Sequence, residues 1–451
     1  MIGTEDIICI MADLIVHDFS YCGLLLLIGW FLRSRIRLFQ DLYIPASVIG
    51  GMVGLLLGEQ VLGKVLPFSI NFSSHMSDLA IPLLALVFCP QLIGVDFEKR
   101  LLRSGLIVGM LNSGAMCLQN MTGLIIMFVL ISAGLSKAPV GLGHMPFTGF
   151  YGGHGIPAIA SDIFDKAGYW NGDIANSVGN TFATAGMLFG IIAGIVIINI
   201  AARKGQIDKK DGLRDLIEEN HSGYVPIERR RNVVHAVTSN DAVNPVAFHM
   251  AVILSIVFFA YLIGKLPFFN SFPITINSLM IGIVYALVGR FTCAGNYLDR
   301  ESLLNISGAS LEFLIVSSIA ATNLRVFSDY ALELLVLSVF TAISTLTYVF
   351  FFGKRWHRKH WVENSLGTFG IATGVLATGF LLIRIADPDN RTGAALNLSI
   401  AASLTTTTVQ MYFMVLYPPL IVKHPGLASG VALVGMIVFT MAGFLLSRSR
   451  T

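Results

Sequence analysis

Residues 150–164 read FYGGHGIPAIASDIF, and residues 365–385 read SLGTFGIATGVLATGFLLIRI. Both are polar, glycine-rich breaks in a very apolar chain, and they sit at matching places in its two halves. The first leads into SVGNTFATAGMLFG at 177–190, the second into LNLSIAASLTTTTVQMYFM at 396–414. In hydrocarbon an unpaired backbone amide costs several kcal/mol, so irregular backbone persists only where protein encloses a cavity. Paired interruptions in two halves of a chain mark the binding site of a secondary transporter.

The composition around these breaks sets the class. Of 451 residues, 55% are hydrophobic and 13% charged, and the mean hydropathy is +0.74. A soluble chain carries about a quarter charged residues, so this reads as an all-α polytopic membrane protein. Candidate spans are 19–37, 44–65, 79–95, 104–133 and 174–202, then 246–265, 273–290, 309–324, 332–353, 394–422 and 426–448. The two interruptions are too polar for simple crossings and read as re-entrant hairpins near 145–165 and 364–385. The five cysteines, Cys9, Cys22, Cys89, Cys117 and Cys293, have neither metal-ligand nor disulfide spacing and read as small apolar filler. No cleavable signal peptide is expected from the acidic start MIGTEDIICIMAD.

Two segment pairs align the halves. IPASVIGGMVGLLLG from Ile44 resembles FPITINSLMIGIVYALVG from Phe272, and LIGVDFEKRLL from Leu92 resembles ATNLRVFSDYALELL from Ala321. Five crossings and one hairpin per half make the second repeat run upside down relative to the first. The expected organisation is a first repeat over 1–203, a cytoplasmic linker over 204–245, an inverted second repeat over 246–422, and an extra C-terminal transmembrane helix within 423–451. With the N-terminus outside, 24 of the 30 Lys and Arg residues fall in cytoplasmic segments and 6 outside. The positive-inside rule therefore favours an external N-terminus, a cytoplasmic C-terminus and hairpins that do not cross. The linker alternates charges of both signs and reads as a connector, with Arg229, Arg230 and Arg231 as a weak candidate for lipid contact.

The hairpin tips are expected to meet near the bilayer midplane. A helix beginning there offers unpaired N–H groups that suit a carboxylate, and glycine lets backbone approach a ligand. Candidate solute-binding residues are Gln119, Asn120, Gly152, Gly153, His154, Gly155, Thr373, Gly374 and Arg384. His154 reads as a hydrogen-bond donor to solute, a proton site, or a bond that closes the hairpin. Asp162 reads as a solvated or capping acid. Arg384 reads either as a snorkelling side chain paired with Asp387 or as a counter-ion for an anion. Asn176, Asn180, Thr181 and Thr184 recur along one helical face and suit either a path or a helix contact. Thr405, Thr406, Thr407 and Thr408 place hydroxyls on every face of a helix, with Ser403 and Gln410 beside them. Hydroxyl and carbonyl oxygens are hard ligands, so Asn180, Thr181, Thr184 and the four threonines are the candidate Na⁺ ligands. Glu312 reads as surface-exposed near the cytoplasmic end of its span. No enzyme signature or other cofactor motif is present.

IPASVIGG at 44–51, LQNMTG at 118–123 and GGHG at 152–155, with the Thr-bearing helix and the upside-down second copy, resemble the bacterial sodium/glutamate symporter family over about residues 19–422. The resemblance implies Na⁺-coupled uptake of an acidic amino acid in the inner membrane by a homodimer, with a scaffold and a mobile core holding the hairpins. Gln119, Asn120, Gly152, Gly153, His154 and Gly155 would belong to that core. The second hairpin departs from the family pattern, having no histidine and running on into RIADPD. A proton-coupled or exchange carrier for another organic anion, a channel and a membrane sensor are the alternatives.

Overall fold

The computed structural model describes residues 17–41, 44–64, 76–90, 102–207, 241–266, 274–292, 297–357, 359–387 and 391–448, with isolated positions between them. Most of the expected linker, Cys9, Cys293 and the side chains of Ser403 and Thr407 lie outside the described residues. All regular elements among the described residues are helices. Apart from short turns at Arg37–Asp41, Leu62–Lys64, Met76–Leu79, Val140–His144 and Arg325–Asp329, they are in chain order α1 (Phe19–Arg35), α2 (Ala46–Leu57), α3 (Ala80–Phe88), α4 (Leu102–Ser132), α5 (Met145–Phe150), α6 (Ile156–Lys166) and α7 (Gly172–Arg203). There follow α8 (Pro245–Ile263), α9 (Ile274–Phe291), α10 (Arg300–Ala320), α11 (Ala331–Trp356), α12 (Trp361–Thr373), α13 (Leu376–Ala386), α14 (Ala394–Thr405), α15 (Tyr417–Lys423) and α16 (Pro425–Arg448).

Among the described residues, six helices are long and apolar enough to cross a membrane: Arg103–Ser132, Gly172–Arg203, Pro245–Ile263, Arg300–Ala320, Ala331–Trp356 and Pro425–Arg448. At 1.5 Å per residue the longest run to roughly 45 Å, past the ~30 Å hydrocarbon core. The protein is an all-helical polytopic membrane protein. The chain divides into two compact units that cut across the sequence halves. One unit contains α1, α2, α3, α8, α9 and α10, and the other contains α4 to α7 and α11 to α16.

In the first unit, α1 and α2 approach until backbone touches backbone. A Cβ on Gly29 would lie 2.6 Å from the Gly50 nitrogen. The helices at the spans expected over 44–65 and 79–95 are shorter than those spans. Gly58 ends α2 in extended backbone, and Pro90 follows closely on α3. The helix expected from 309 begins instead at Arg300. Asp299 caps it, accepting from the Ser302 amide at 2.8 Å and the Ser302 hydroxyl at 2.5 Å. A hydropathy window discounts charged Arg300 and Glu301, although a first turn outside the apolar layer carries them readily.

That earlier start moves Glu312 from the helix end to its middle. It is partly buried there, and its Oε2 is fully buried without a hydrogen bond. The expectation of a surface residue is therefore corrected. A carboxylate oxygen stripped of water and left unpaired destabilises the fold. Glu312→Gln is expected to raise the thermal midpoint of the purified protein by a few degrees, read by intrinsic fluorescence, and an unchanged or lowered midpoint would refute that reading.

The second unit is built around α7, with Asn171 capping its first turn through the Ile174 amide at 3.0 Å. Gly179, Gly186, Gly190 and Gly194 lie along one stripe of this helix. Each abuts another element: Gly179 meets Pro157, Gly186 meets Phe150 and the Thr373 carbonyl, Gly190 meets the Thr373 hydroxyl, and Gly194 meets Leu382. Both helix–break–helix segments thus rest on one smooth face, where any side chain would hold them away. The limbs of the second segment also cross closely, since a Cβ on Gly370 would lie 2.6 Å from the Gly379 Cα. Helices of 11 and 13 residues reach only about 17–20 Å, short of a crossing.

The span expected over 394–422 is not one regular helix. α14 gives way to π-helical turns at 406–410 and 412–416 before α15. The last helix, α16, packs on α4 and α11. Arg103 Nη2 donates to the Leu446 carbonyl at 3.0 Å, the Tyr348 and Thr440 hydroxyls are 2.8 Å apart, and Gly443 lies against the Trp356 ring.

Candidate functional site

The site lies in the second unit, where the two breaks meet. In the first, α5 ends at Phe150 and α6 starts at Ile156, with Gly155 as its N-cap and Pro157 in its first turn. Gly153 between them takes φ +64°, a conformation that costs residues with a Cβ about 1–2 kcal/mol. In the second, α12 ends at Thr373, Gly374 and Val375 are non-helical, and α13 starts at Leu376. The tips touch: a Cβ on Gly153 would lie 2.5 Å from Val375 Cγ1. Both return limbs, α6 and α13, therefore begin at the meeting point. The first amides of a helix have no partner within it and carry partial positive charge, which favours an anion there.

Gln119 supports the second tip from α4. Its Nε2 donates to the Ala372 carbonyl at 2.7 Å and to the Thr345 hydroxyl on α11 at 3.0 Å, while its Oε1 is buried without a hydrogen bond. One amide thus joins three helices and keeps an acceptor free. Asn120, its neighbour, is turned elsewhere. Its Nδ2 donates to the Met116 carbonyl at 2.9 Å, and its Oδ1 accepts from His144 Nδ1 at 2.6 Å.

His144 is not among the residues the sequence singles out, whereas His154 at the first break is. Asn120 lies 12 residues, about 18 Å, from the C-terminal end of α4, and His144 reaches it fully buried. The Nδ1–H tautomer leaves Nε2 a bare acceptor, which has no partner. Phe147, Phe164 and Tyr417 surround the ring at centroid distances of 5.4 to 6.5 Å. Gly123 and Gly143 meet backbone to backbone nearby, which seats the start of the first hairpin on α4. The usable signal was a lone histidine in the uncharged run VGLGHMPF.

His154 at the first tip is nearly buried, and its Nε2 lies 3.0 Å from Thr184 Oγ1 on α7. Thr184 donates to the Asn180 carbonyl at 3.1 Å, so the ring is the donor to Thr184. His154, Thr184 and Asn180 thus form one chain, with Gly152, Gly153 and Gly155 around it. Thr181 donates to the Ser177 carbonyl at 2.9 Å, one turn away. Thr373 donates to the Phe369 carbonyl at 2.7 Å and abuts α7 beside the second tip.

The threonine run divides by face. Thr405 is buried and donates to the Ala401 carbonyl at 2.9 Å, Thr406 is half-buried, and Thr408 is exposed and donates to the Leu404 carbonyl at 2.7 Å. Arg384 is exposed on the return limb, two turns past the tip. Asp387 does not pair with it. Its carboxylate accepts from the amides of Arg391 and Thr392 and from the Thr392 hydroxyl at 2.6 to 2.9 Å. Burial pushes the Asp387 carboxyl up, but these bonds outweigh it and hold the group below its usual range. Asp162 pairs with Lys166 one turn on, at 2.8 Å.

Buried polar atoms without a hydrogen bond occur in both units. Asn112, Thr341, Tyr151 and Ser161 carry buried side-chain atoms without hydrogen bonds, besides Gln119 Oε1 and His144 Nε2. Each such group costs about 1–3 kcal/mol unless something binds it.

A comparison with curated proteins returned no match. The profile of the sodium/glutamate symporter family matches residues 14–361, ending where α12 and the second hairpin begin. Matched by that family over most of its length, this chain belongs to the sodium/glutamate symporter family.

Proposed function

We propose that the protein carries glutamate or a closely related small carboxylate into the cell with Na⁺, by alternating access. The observation that carries this reading is the junction at Gly153 and Val375, where α6 and α13 both begin. Their N-terminal amides suit the carboxylates of a solute, and the free Gln119 Oε1 suits its ammonium group. Na⁺ binds among neutral oxygens of the same unit, with Asn180, Thr181, Thr184 and the threonine run as candidates. It offsets part of the solute's negative charge and ties solute entry to the ion gradient.

In this reading the unit with both hairpins is the moving core. The other unit is the scaffold of a homodimer in the inner membrane. The repeats are inverted, with the N-terminus outside and the C-terminus cytoplasmic, so the hairpins gate opposite faces. A dicarboxylate or amino acid other than glutamate is favoured by one observation: the family match stops at Trp361, and the second hairpin lacks histidine.

The test is uptake of labelled glutamate into proteoliposomes under an inward Na⁺ gradient, with choline as the control and a panel of amino acids and dicarboxylates as competitors. Na⁺-dependent accumulation is expected. Competition by another acid stronger than by glutamate would move the substrate while keeping the mechanism. Flux without Na⁺ dependence would overturn the symport reading and favour a channel or a proton-linked carrier.

A further inference from the structure

We propose that Asn112, Tyr151 and Thr405 form a buried site for a dehydrated monovalent cation, closed by the tip of the first hairpin. The inference rests on the sodium-coupled reading above and gives that cation a place.

Asn112 lies on α4, fully buried, and neither its Oδ1 nor its Nδ2 has a hydrogen-bond partner. Its neighbours follow from helical spacing. Gly105 abuts Ile400, and Gly109 abuts Ala401 and the Thr405 methyl, all on α14. Positions 105, 109 and 112 recur at four and three residues, so Asn112 extends the same face one turn onward. Thr405 is the last residue of α14, and its hydroxyl hydrogen is committed to the Ala401 carbonyl. Its oxygen is left as an acceptor only. Tyr151 closes the arrangement from the hairpin tip. Its hydroxyl is buried beside Thr405 but makes no hydrogen bond of regular geometry.

The backbone beyond Thr405 supplies the fourth element. The chain is π-helical over 406–410. Widening from i→i+4 to i→i+5 bonding leaves a carbonyl without its amide, and such turns gather at functional sites. An amide oxygen, a phenolic oxygen, a threonine oxygen and a freed carbonyl are all hard and neutral. That set fits Na⁺ or Li⁺, whereas divalent cations draw on carboxylates. Tyr151 immediately precedes Gly152 and Gly153, so a cation here ties the first tip to α14. Cation occupancy would thereby hold the hairpin in one position, which is what coupling to solute binding requires.

The experiment is a thermal-shift titration of the purified full-length protein with NaCl, LiCl or KCl against choline chloride, with no organic solute. Saturable stabilisation by Na⁺ and Li⁺ is expected for the unaltered protein. Asn112→Leu removes the orphan amide at similar volume, so the cation-free protein should be as stable or more stable. Its Na⁺ midpoint should nevertheless rise tenfold or more, and that of Tyr151→Phe at least threefold. An unaltered Na⁺ midpoint in both variants would mean that bound water alone fills the site, and the proposal falls. No response of the unaltered protein to Na⁺ would also overturn it. Uptake measured in parallel separates the two readings. Na⁺-driven uptake with unmoved midpoints sinks the site and keeps symport, whereas shifted midpoints without Na⁺-driven uptake keep the site and sink symport.

Discussion

Gly153→Ala is expected to lower Na⁺-driven uptake at least a hundredfold while leaving the amount of folded protein in the membrane nearly unchanged. Two costs combine at this position. The left-handed backbone, φ +64°, penalises any Cβ, and that Cβ would lie 2.5 Å from Val375 Cγ1 on the opposite tip. Gly168 separates the two. It has φ +62° and nothing within 4 Å of an added Cβ, so Gly168→Ala carries the backbone cost alone. Its uptake should stay within about threefold of the parent, since about 1 kcal/mol of strain spent outside the site alters stability rather than transport. Adding Val375→Ala to Gly153→Ala should restore part of the activity. Parental uptake in Gly153→Ala would show that tip-to-tip contact is not needed for transport.

Gln119→Leu is the second large effect, with uptake expected to fall ten- to a hundredfold. The substitution keeps side-chain volume but removes the donor to the Ala372 carbonyl and the Thr345 hydroxyl. A buried carbonyl left unpaired costs about 1–3 kcal/mol, and this one lies two residues from the break at Gly374. The limb that presents the α13 N-terminus therefore loses its fixed height relative to α4. A double-mutant cycle distinguishes this from a general loss of packing. Thr345→Val alone should be mild, and Thr345→Val with Gln119→Leu should be no worse than Gln119→Leu alone, because both remove the same bond. Strictly additive losses would place the role of Gln119 elsewhere. Glutamate competition in Gln119→Asn gives a further readout, since the shorter amide keeps the chemistry but withdraws the free acceptor.

Membrane class, the two glycine-rich helix breaks and the family were legible from residues alone. Hydrocarbon tolerates so few backbone geometries that apolar runs and glycine-rich breaks are nearly sufficient evidence. The long helices α4, α7, α8, α11 and α16 follow the expected spans closely. Element ends were less legible where charge and apolar character compete, as at Arg300, where Asp299 caps a helix whose first turn looks unlike a membrane segment. The break inside the threonine run was also hidden, because π-helical turns depend on neighbouring helices more than on local propensity.

Which polar side chain faces which neighbour was decided by tertiary packing. Asn120 and Gln119 are adjacent in sequence, yet one is bound to His144 and the other to Ala372 and Thr345, because 100° of helix rotation separates them. Thr405 and Thr408 differ in the same way, one buried and one exposed. Asn112 and Gln119 stand seven residues apart on one stripe of α4, a signal present in the sequence but without meaning until α14 and α11 are known to flank it. His144 meets Asn120 from 24 residues away. Sequence alone determined that this chain spans a membrane, breaks once in each half and belongs with sodium/glutamate symporters, since those properties rest on composition and local backbone chemistry. Only the tertiary structure decided which oxygens are gathered around the hairpin tips, since that depends on helix rotation and glycine-mediated close approach between segments far apart in the chain.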